Sequence, residues 1–324
     1  MWTRAAAISA ALIAFVAVPA PAQPDAFPSH PITLLVPFAA GGSSDVVMRL
    51  LSRQVSESLG QSIVIDNRPG GAGNVAAMAI KHAPPDGYTL MMGHTGTHAI
   101  NATLYPDLKF DPIKDFAPVA PLISFNNILF VPKDSAANSA KELVALARSR
   151  PGGLSYGSQG VGTGGHLLGV LLAKQAGITL VHVPYRGVAP AATDMVAGRL
   201  DMMFFSYITA KPHVDNGTLR MLAIAGAKRH PVIPEVPTMA EAGFPGVEMD
   251  QWFGLFAPAG TPAAIVEKLN AAFVKALESA EVQNVLRPEG ANIIPGKPEA
   301  LAAMIARDVV RLGQVVRESG AKPE

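Results

Sequence analysis

Short apolar runs alternate with amphipathic stretches along most of this chain, and glycine-rich turns lie between them. Ile32–Val36 has the length and composition of a strand. Gly41, Gly42, Ser43, Ser44 and Asp45 then supply a turn with capping residues. After them Val46, Val47, Leu50, Leu51, Val55 and Leu59 recur at helical spacing, and Gly60 stops the helix. The pattern repeats with a strand at Ile63–Ile65, a helix at Val75–His82, a strand at Tyr88–Met92 and a helix opening over Thr95–Leu104. Such alternation predicts a parallel sheet with helices on both faces.

A second unit follows. Ser139 and Glu142 form a capping box that opens a helix to Ser149. Strands are expected at Leu154–Gly157, Leu180–Val183, Met202–Phe205 and Leu219–Ile224, with helices near Gly164–Ala176 and Ala189–Ala197. Trp252–Ala257 resembles a strand returning to the first unit. Thr261 is expected to cap the next helix, with Pro262 at its first position. Helices near Val282–Leu286 and Leu301–Ser319 finish the chain. With 324 residues, 49% of them hydrophobic, two domains are more natural than one. The expected crossings lie near Phe125–Phe130 and Val247–Trp252. They divide the chain into one domain of 27–126 with 251–324 and another of 127–250.

Ligands of open α/β sheets sit beyond the carboxyl ends of the strands. Four loops there precede helices. Their candidate ligand-binding residues are Phe38, Ala40, Gly41, Gly42, Ser43, Ser44 and Asp45 in the first and His94, Thr95 and Thr97 in the second. The third gives Ser158, Gly160, Gly162, Thr163 and His166, and the fourth Tyr185 and Gly187, with Asp194 and Ser206 beyond. At a helix N-terminus the first N–H groups lack partners and the macrodipole favours an anion. Two such termini from each domain would hold a carboxylate without a buried arginine. A single glycine loop is an ordinary turn; the argument rests on four in register. Asp45 and Asp194 are read as acids just inside helix N-termini. Phe38 and Tyr185 are expected to wall the cleft.

The first residues fit an export signal. Met1–Arg4 carries one positive charge, Ala5–Val18 is almost wholly apolar, and Ala20, Pro21 and Ala22 form a small-residue cleavage pattern. Residues 1–22 are therefore expected to be removed near Ala22, leaving a periplasmic protein. Net charge is +1 and 16% of residues are charged, with no clustered basic stretch for nucleic acid. The chain has no cysteine, which excludes disulfides and thiol chemistry.

The motifs Phe38–Asp45, Asn67–Asn74, Pro85–Leu90, Ser158–His166, Val183–Gly187, Pro234–Gly243 and Phe256–Pro262 run in order through nearly all of the mature chain. Together they resemble the Bug receptors, the substrate-binding proteins of tripartite tricarboxylate transporters. The resemblance implies an α/β, two-domain type II periplasmic-binding-protein fold. In it a ligand cleft lies between two open sheets with two hinge crossings, and main-chain groups and ordered water hold the ligand. It also implies no catalysis, no cofactor, no metal, a monomer, a small carboxylate ligand and delivery to the membrane components of such a transporter. In one departure, Phe205 and Ser206 stand where the family often has an aspartate, which weakens a reading as an amino-acid receptor.

Three sharper readings compete. Gly160–Gly165 matches a dinucleotide fingerprint, but Leu180–Val183 lacks the acid expected to follow. His94 and His98 are four apart, as metal ligands can be, yet no glutamate lies between them. Ser158 invites a periplasmic hydrolase acting on a small carboxylate ester or amide, but the nucleophile elbow needs glycine where Tyr156 stands.

Overall fold

A computed structural model describes residues 27–323. The export signal expected at residues 1–22 lies outside them. In chain order the first elements are β1 (Ile32–Val36), α1 (Ser43–Leu59), β2 (Ile63–Asn67), α2 (Asn74–Lys81) and β3 (Thr89–His94). A wide π-type turn (Gly96–Ile100) leads to α3 (Asn101–Leu104) and then to the long β4 (Phe116–Pro132). The second half holds α4 (Ala140–Ser149), β5 (Leu154–Ser158), α5 (Gly164–Ala176), β6 (Leu180–Pro184), α6 (Val188–Val196), β7 (Met202–Ser206), α7 (Tyr207–Asp215) and β8 (Leu219–Ile224). The chain returns through β9 (Asp250–Pro258), α8 (Ala263–Glu278), α9 (Ala280–Leu286), β10 (Asn292–Ile293) and α10 (Pro298–Ser319).

Two sheets share one strand. The first runs β2-β1-β3-β9-β4 and the second β4-β7-β5-β6, with β8 also on β4. Strands β1, β2 and β3 are parallel, as are β5, β6 and β7. The sheets are not wholly parallel as expected: β9 and β4 run antiparallel to their neighbours. The reason is the crossover itself, since one strand must leave each parallel set and another return. β4 pairs with β9 up to Asn126 and with β7 and β8 from Asn127 onward.

The inner strands of each sheet are buried on both faces, which explains their near-continuous apolar runs, while the edge strands β2 and β6 are half-exposed. Ile32, Leu34 and Val36 pack with Val47, Leu51 and Val55 of α1 and with Leu269 and Phe273 of α8. Leu35 points the other way, toward Ala77 and Ile80 of α2 and Leu301 and Ile305 of α10. In the second lobe, Leu129 and Val131 face α4 and α5, while Ile128 and Phe130 face α6. Further along α10, Leu312 and Val316 join the second lobe's core together with Ile100 and Leu104 of the first. One helix thus packs on both lobes.

Two caps differ in detail from expectation. Ser139 Oγ does accept from the Glu142 N–H, but the Glu142 carboxylate reaches the Asn138 N–H rather than that of Ser139. Pro262 itself takes the cap position of α8, and the Thr261 hydroxyl donates to the Pro258 carbonyl at 2.8 Å.

Candidate functional site

A narrow cleft with a cavity volume of about 40 Å³ lies between the lobes. Phe38, Ser43, Ser44 and His94 line it from the first lobe, and Gln159, Thr163, Gly164, Val188 and Ser206 from the second. Phe125 and Asn127 of β4 and Gln251, Trp252 and Phe253 of β9 complete it at the crossing. The N-termini of α1, α5, α6 and α7 border this space, one from the first lobe and three from the second rather than the expected two from each, because the loop after β3 runs into a π-type turn and α7 takes its place. Among the described residues, no aspartate, glutamate, lysine or arginine lines the cleft.

Glycine sets how near the lobes approach. The Ala39 N–H donates to the Arg186 carbonyl at 2.9 Å, tying the first loop to the fourth. Gly42 makes room for this, because a Cβ there would lie 2.7 Å from Val188 Cγ1. On the other side Tyr105 donates to the Val161 carbonyl at 2.8 Å. Gly162, at φ +94°, leaves no space for a Cβ beside the Asn101 amide.

Of the expected site residues, Phe38, Ser43, Ser44, His94, Thr163 and Ser206 border the cleft. The others do not line it: Ala40 and Gly41 are exposed, and several of the rest brace its loops. Asp45 accepts from the Gly41 N–H, Arg49 and Asn67, and so holds the first loop on its own helix. Burial alone would raise its pKa, but these bonds lower it. Thr95 accepts from the Trp252 N–H, and the Thr97 hydroxyl donates to the His94 carbonyl. Ser158 accepts from the Gly160 N–H, and His166 Nδ1 accepts from the Gly162 N–H.

Three expectations need correction. Asp194 lies near the C-terminal end of α6, not its start, and binds Tyr185 and Arg199. Helix α6 starts at Val188, so Asp194 falls in its last turn rather than its first. Tyr185 does not wall the cleft; its hydroxyl is held on Asp194 at 2.7 Å, and burial helps push its pKa up to about 12. His94 borders the cleft but offers no free nitrogen. Its Nδ1 accepts from the Gly96 N–H, so Nε2 carries the proton and donates to the Ala72 carbonyl. Burial lowers its pKa to about 4, so the ring is neutral at pH 7. That bonding also removes the His94–His98 metal reading, and no metal-ligating cluster occurs among the described residues.

Sequence reasoning missed the floor of the cleft at Phe125, Asn127, Gln251, Trp252 and Phe253. Its trace in the sequence is the polar residues Asn126 and Asn127 and the pair Asp250 and Gln251, set in two otherwise apolar strands. Helix α7 was missed as well, because Pro212 interrupts its pattern.

Residues 47–321 match the profile of the tripartite tricarboxylate transporter family receptor. The chain belongs to this receptor family. The receptor is 33% identical to protein BugT of Bordetella pertussis over 321 residues, covering 99% of this chain and 98% of that one. It superposes on MatC from Rhodopseudomonas palustris, solved with malate, at a TM-score of 0.86 and 37% identity. That match covers 90% of this chain and 100% of MatC. A second R. palustris protein, solved with adipate, gives 0.88 and 38% over 92% of this chain and 100% of its own. The protein is therefore a Bug-type solute receptor with the two-domain fold of periplasmic binding proteins. The hydrolase alternative finds no support. Ser158 is fully buried, its hydroxyl lies 2.7 Å from His182 Nε2 and also bonds Gly160, and it does not border the cleft.

Proposed function

We propose that this receptor is exported to the periplasm, clamps a small carboxylate between its lobes as a monomer, and delivers it to the membrane components of a tripartite tricarboxylate transporter. One observation carries the reading: four helix N-termini border a cleft that no charged side chain among the described residues lines. Such a site favours an anion and offers an ammonium no countercharge. Charge-assisted hydrogen bonds contribute roughly 1.5–3 kcal/mol each. A micromolar site needs about 8 kcal/mol net, within reach of several such bonds after the cost of ordering. The malate and adipate held by the two R. palustris proteins agree with a carboxylate ligand.

In this reading Phe38, Ser43, Ser44, Thr163 and Ser206 touch the ligand, and His94 supports Phe38, with ring centroids 4.8 Å apart. The domains are 27–126 with 251–324 and 127–250, a division supported by the change of β4's partners after Asn126. Cleavage near Ala22 is checked by the mass of protein recovered from the periplasm. A thermal-shift screen of carboxylates on the mature protein tests the ligand class, since binding to the native state raises apparent stability. The best acid should lose most of its affinity as its methyl ester. Equal affinity for acid and ester would overturn the carboxylate reading, and chemical turnover of the bound acid would overturn the receptor reading.

A further inference from the structure

Where β4 passes from one sheet to the other, Phe125 and Asn127 stand two residues apart and so project from the same face. Gln251 of β9 is opposite Phe125, and Ser206 of β7 is opposite Asn127. All four border the cleft. Register alone thus assembles a floor from three strands, with an amide and a hydroxyl flanking β4. Gln251 is 6% exposed and Ser206 3%. Gln251 Nε2 and Ser206 Oγ are buried atoms with no hydrogen-bond partner among the described residues. A buried donor without an acceptor is costly, and most are satisfied. Two such atoms on the floor of one cleft call for a ligand oxygen.

The surrounding wall is apolar and aromatic. Phe125 and Phe253 meet edge to face at 5.0 Å, and Phe38 and Trp252 border the same space. Aromatic walls favour a flat ring, in offset or edge contact, over a polar chain.

Building on the carboxylate reading above, we propose that the receptor selects an aromatic carboxylate carrying an oxygen acceptor at its far end. The acid group lies at the N-termini of α1 and α6, which approach each other at Gly42 and Val188. The far oxygen is read by Gln251 Nε2 and Ser206 Oγ, which makes these two residues the specificity determinants. The far oxygen belongs either to a hydroxyl or to a second carboxylate; the contact is the same in kind.

Calorimetry on the mature chain with 4-methylbenzoate, 4-hydroxybenzoate and terephthalate tests this. The methyl compound matches the hydroxyl compound in shape but offers no acceptor. We expect 4-hydroxybenzoate to bind about tenfold more tightly than 4-methylbenzoate, and Gln251→Leu to bring that ratio to about one. Ser206→Ala should reduce the ratio too, and serves if the leucine variant does not fold. Terephthalate outbinding 4-hydroxybenzoate, with the same dependence on Gln251, supports the proposal and makes the second carboxylate the source of the oxygen. Equal affinity for the methyl and hydroxyl compounds, or a ratio indifferent to both substitutions, overturns it. If malate or adipate binds and no benzoate does, this proposal falls while the carboxylate reading stands. If no acid binds at all, both fall.

Discussion

The backbone N–H of Ala39 donates to the carbonyl of Arg186 at 2.9 Å, and this bond joins the loop after β1 to the loop after β6. The two residues belong to different lobes. Behind them, a Cβ added at Gly42 would lie 2.7 Å from Val188 Cγ1.

Gly42→Val should therefore weaken ligand binding by about tenfold or more, or about 1.4 kcal/mol. Gly42 has φ −87°, so its backbone suits other residues and the effect is steric rather than conformational. Titration calorimetry with the best acid from the screen checks it. Wild-type affinity in a folded variant would mean that the lobes need not approach this closely to bind.

Ser158→Ala should act on stability more than on binding. The hydroxyl donates to the Gly160 carbonyl and accepts from the Gly160 N–H, so it stiffens the third loop without bordering the cleft. A loss of about 0.5–1.5 kcal/mol in urea unfolding is expected. Affinity for the acid should change by less than about threefold, because the helix amides remain in place. A larger loss of affinity than of stability would move Ser158 into the binding site.

The buried histidines should make the fold sensitive to mild acid. Burial lowers the pKa of His94 and of His166 to about 4 from an ordinary 6.5, and His98 lies well below its usual value for the same reason. The unfolded chain takes up these protons near pH 6.5, and the folded one takes those of His94 and His166 only near 4. Their contribution is thus complete above pH 6.5 and is lost as pH falls through 4. Each unit of difference is about 1.4 kcal/mol, so His94 alone can cost on the order of 3 kcal/mol. Thermal midpoints from pH 8 to 4 should begin to fall near 6.5, before carboxylates titrate. A midpoint flat down to pH 5 would contradict this.

Trp252 should report ligand binding. It borders the cleft, and its indole N–H donates to Asp308 at 2.8 Å. The only other tryptophan is Trp2, within the expected export signal. A fluorescence titration of the mature protein should show a saturable change in emission. No change alongside calorimetric binding would place the ligand away from β9.

Asp308→Ala should destabilise the junction that α10 makes between the lobes. Burial would raise the Asp308 pKa, but hydrogen bonds from Arg307 and Trp252 hold it below the usual carboxylate range. Removing the carboxylate leaves the buried indole N–H unpaired. The loss should be about 2 kcal/mol, below that for a fully buried ion pair because both nearby arginines reach solvent. Denaturant unfolding checks it, and a change under about 0.5 kcal/mol would sink the idea.

The strand–helix succession was legible because each element carries its own period and its own stop signal. Ile32–Val36, the glycine after Leu59 and the cap at Ser139 needed no distant partner to be recognised. Helix α7 was not legible, because Pro212 breaks the pattern that packing against β8 sustains. Asp194 was misplaced because its role depends on Tyr185 and Arg199, and neither is set by helix position.

By itself the sequence determined the two α/β units, the glycine loops at strand ends and the residues that open α1 and α5. These are local properties, fixed by periodicity, by capping and by the need for unhindered backbone at a helix start. Only the tertiary structure decided which loop residues reach the cleft and which brace it from behind. It alone brought Gln251 and Ser206 to either side of β4, from positions 45 residues apart (251 less 206). That neighbourhood is a matter of strand register between segments distant in sequence, and a one-residue slip would turn either side chain away from the cleft.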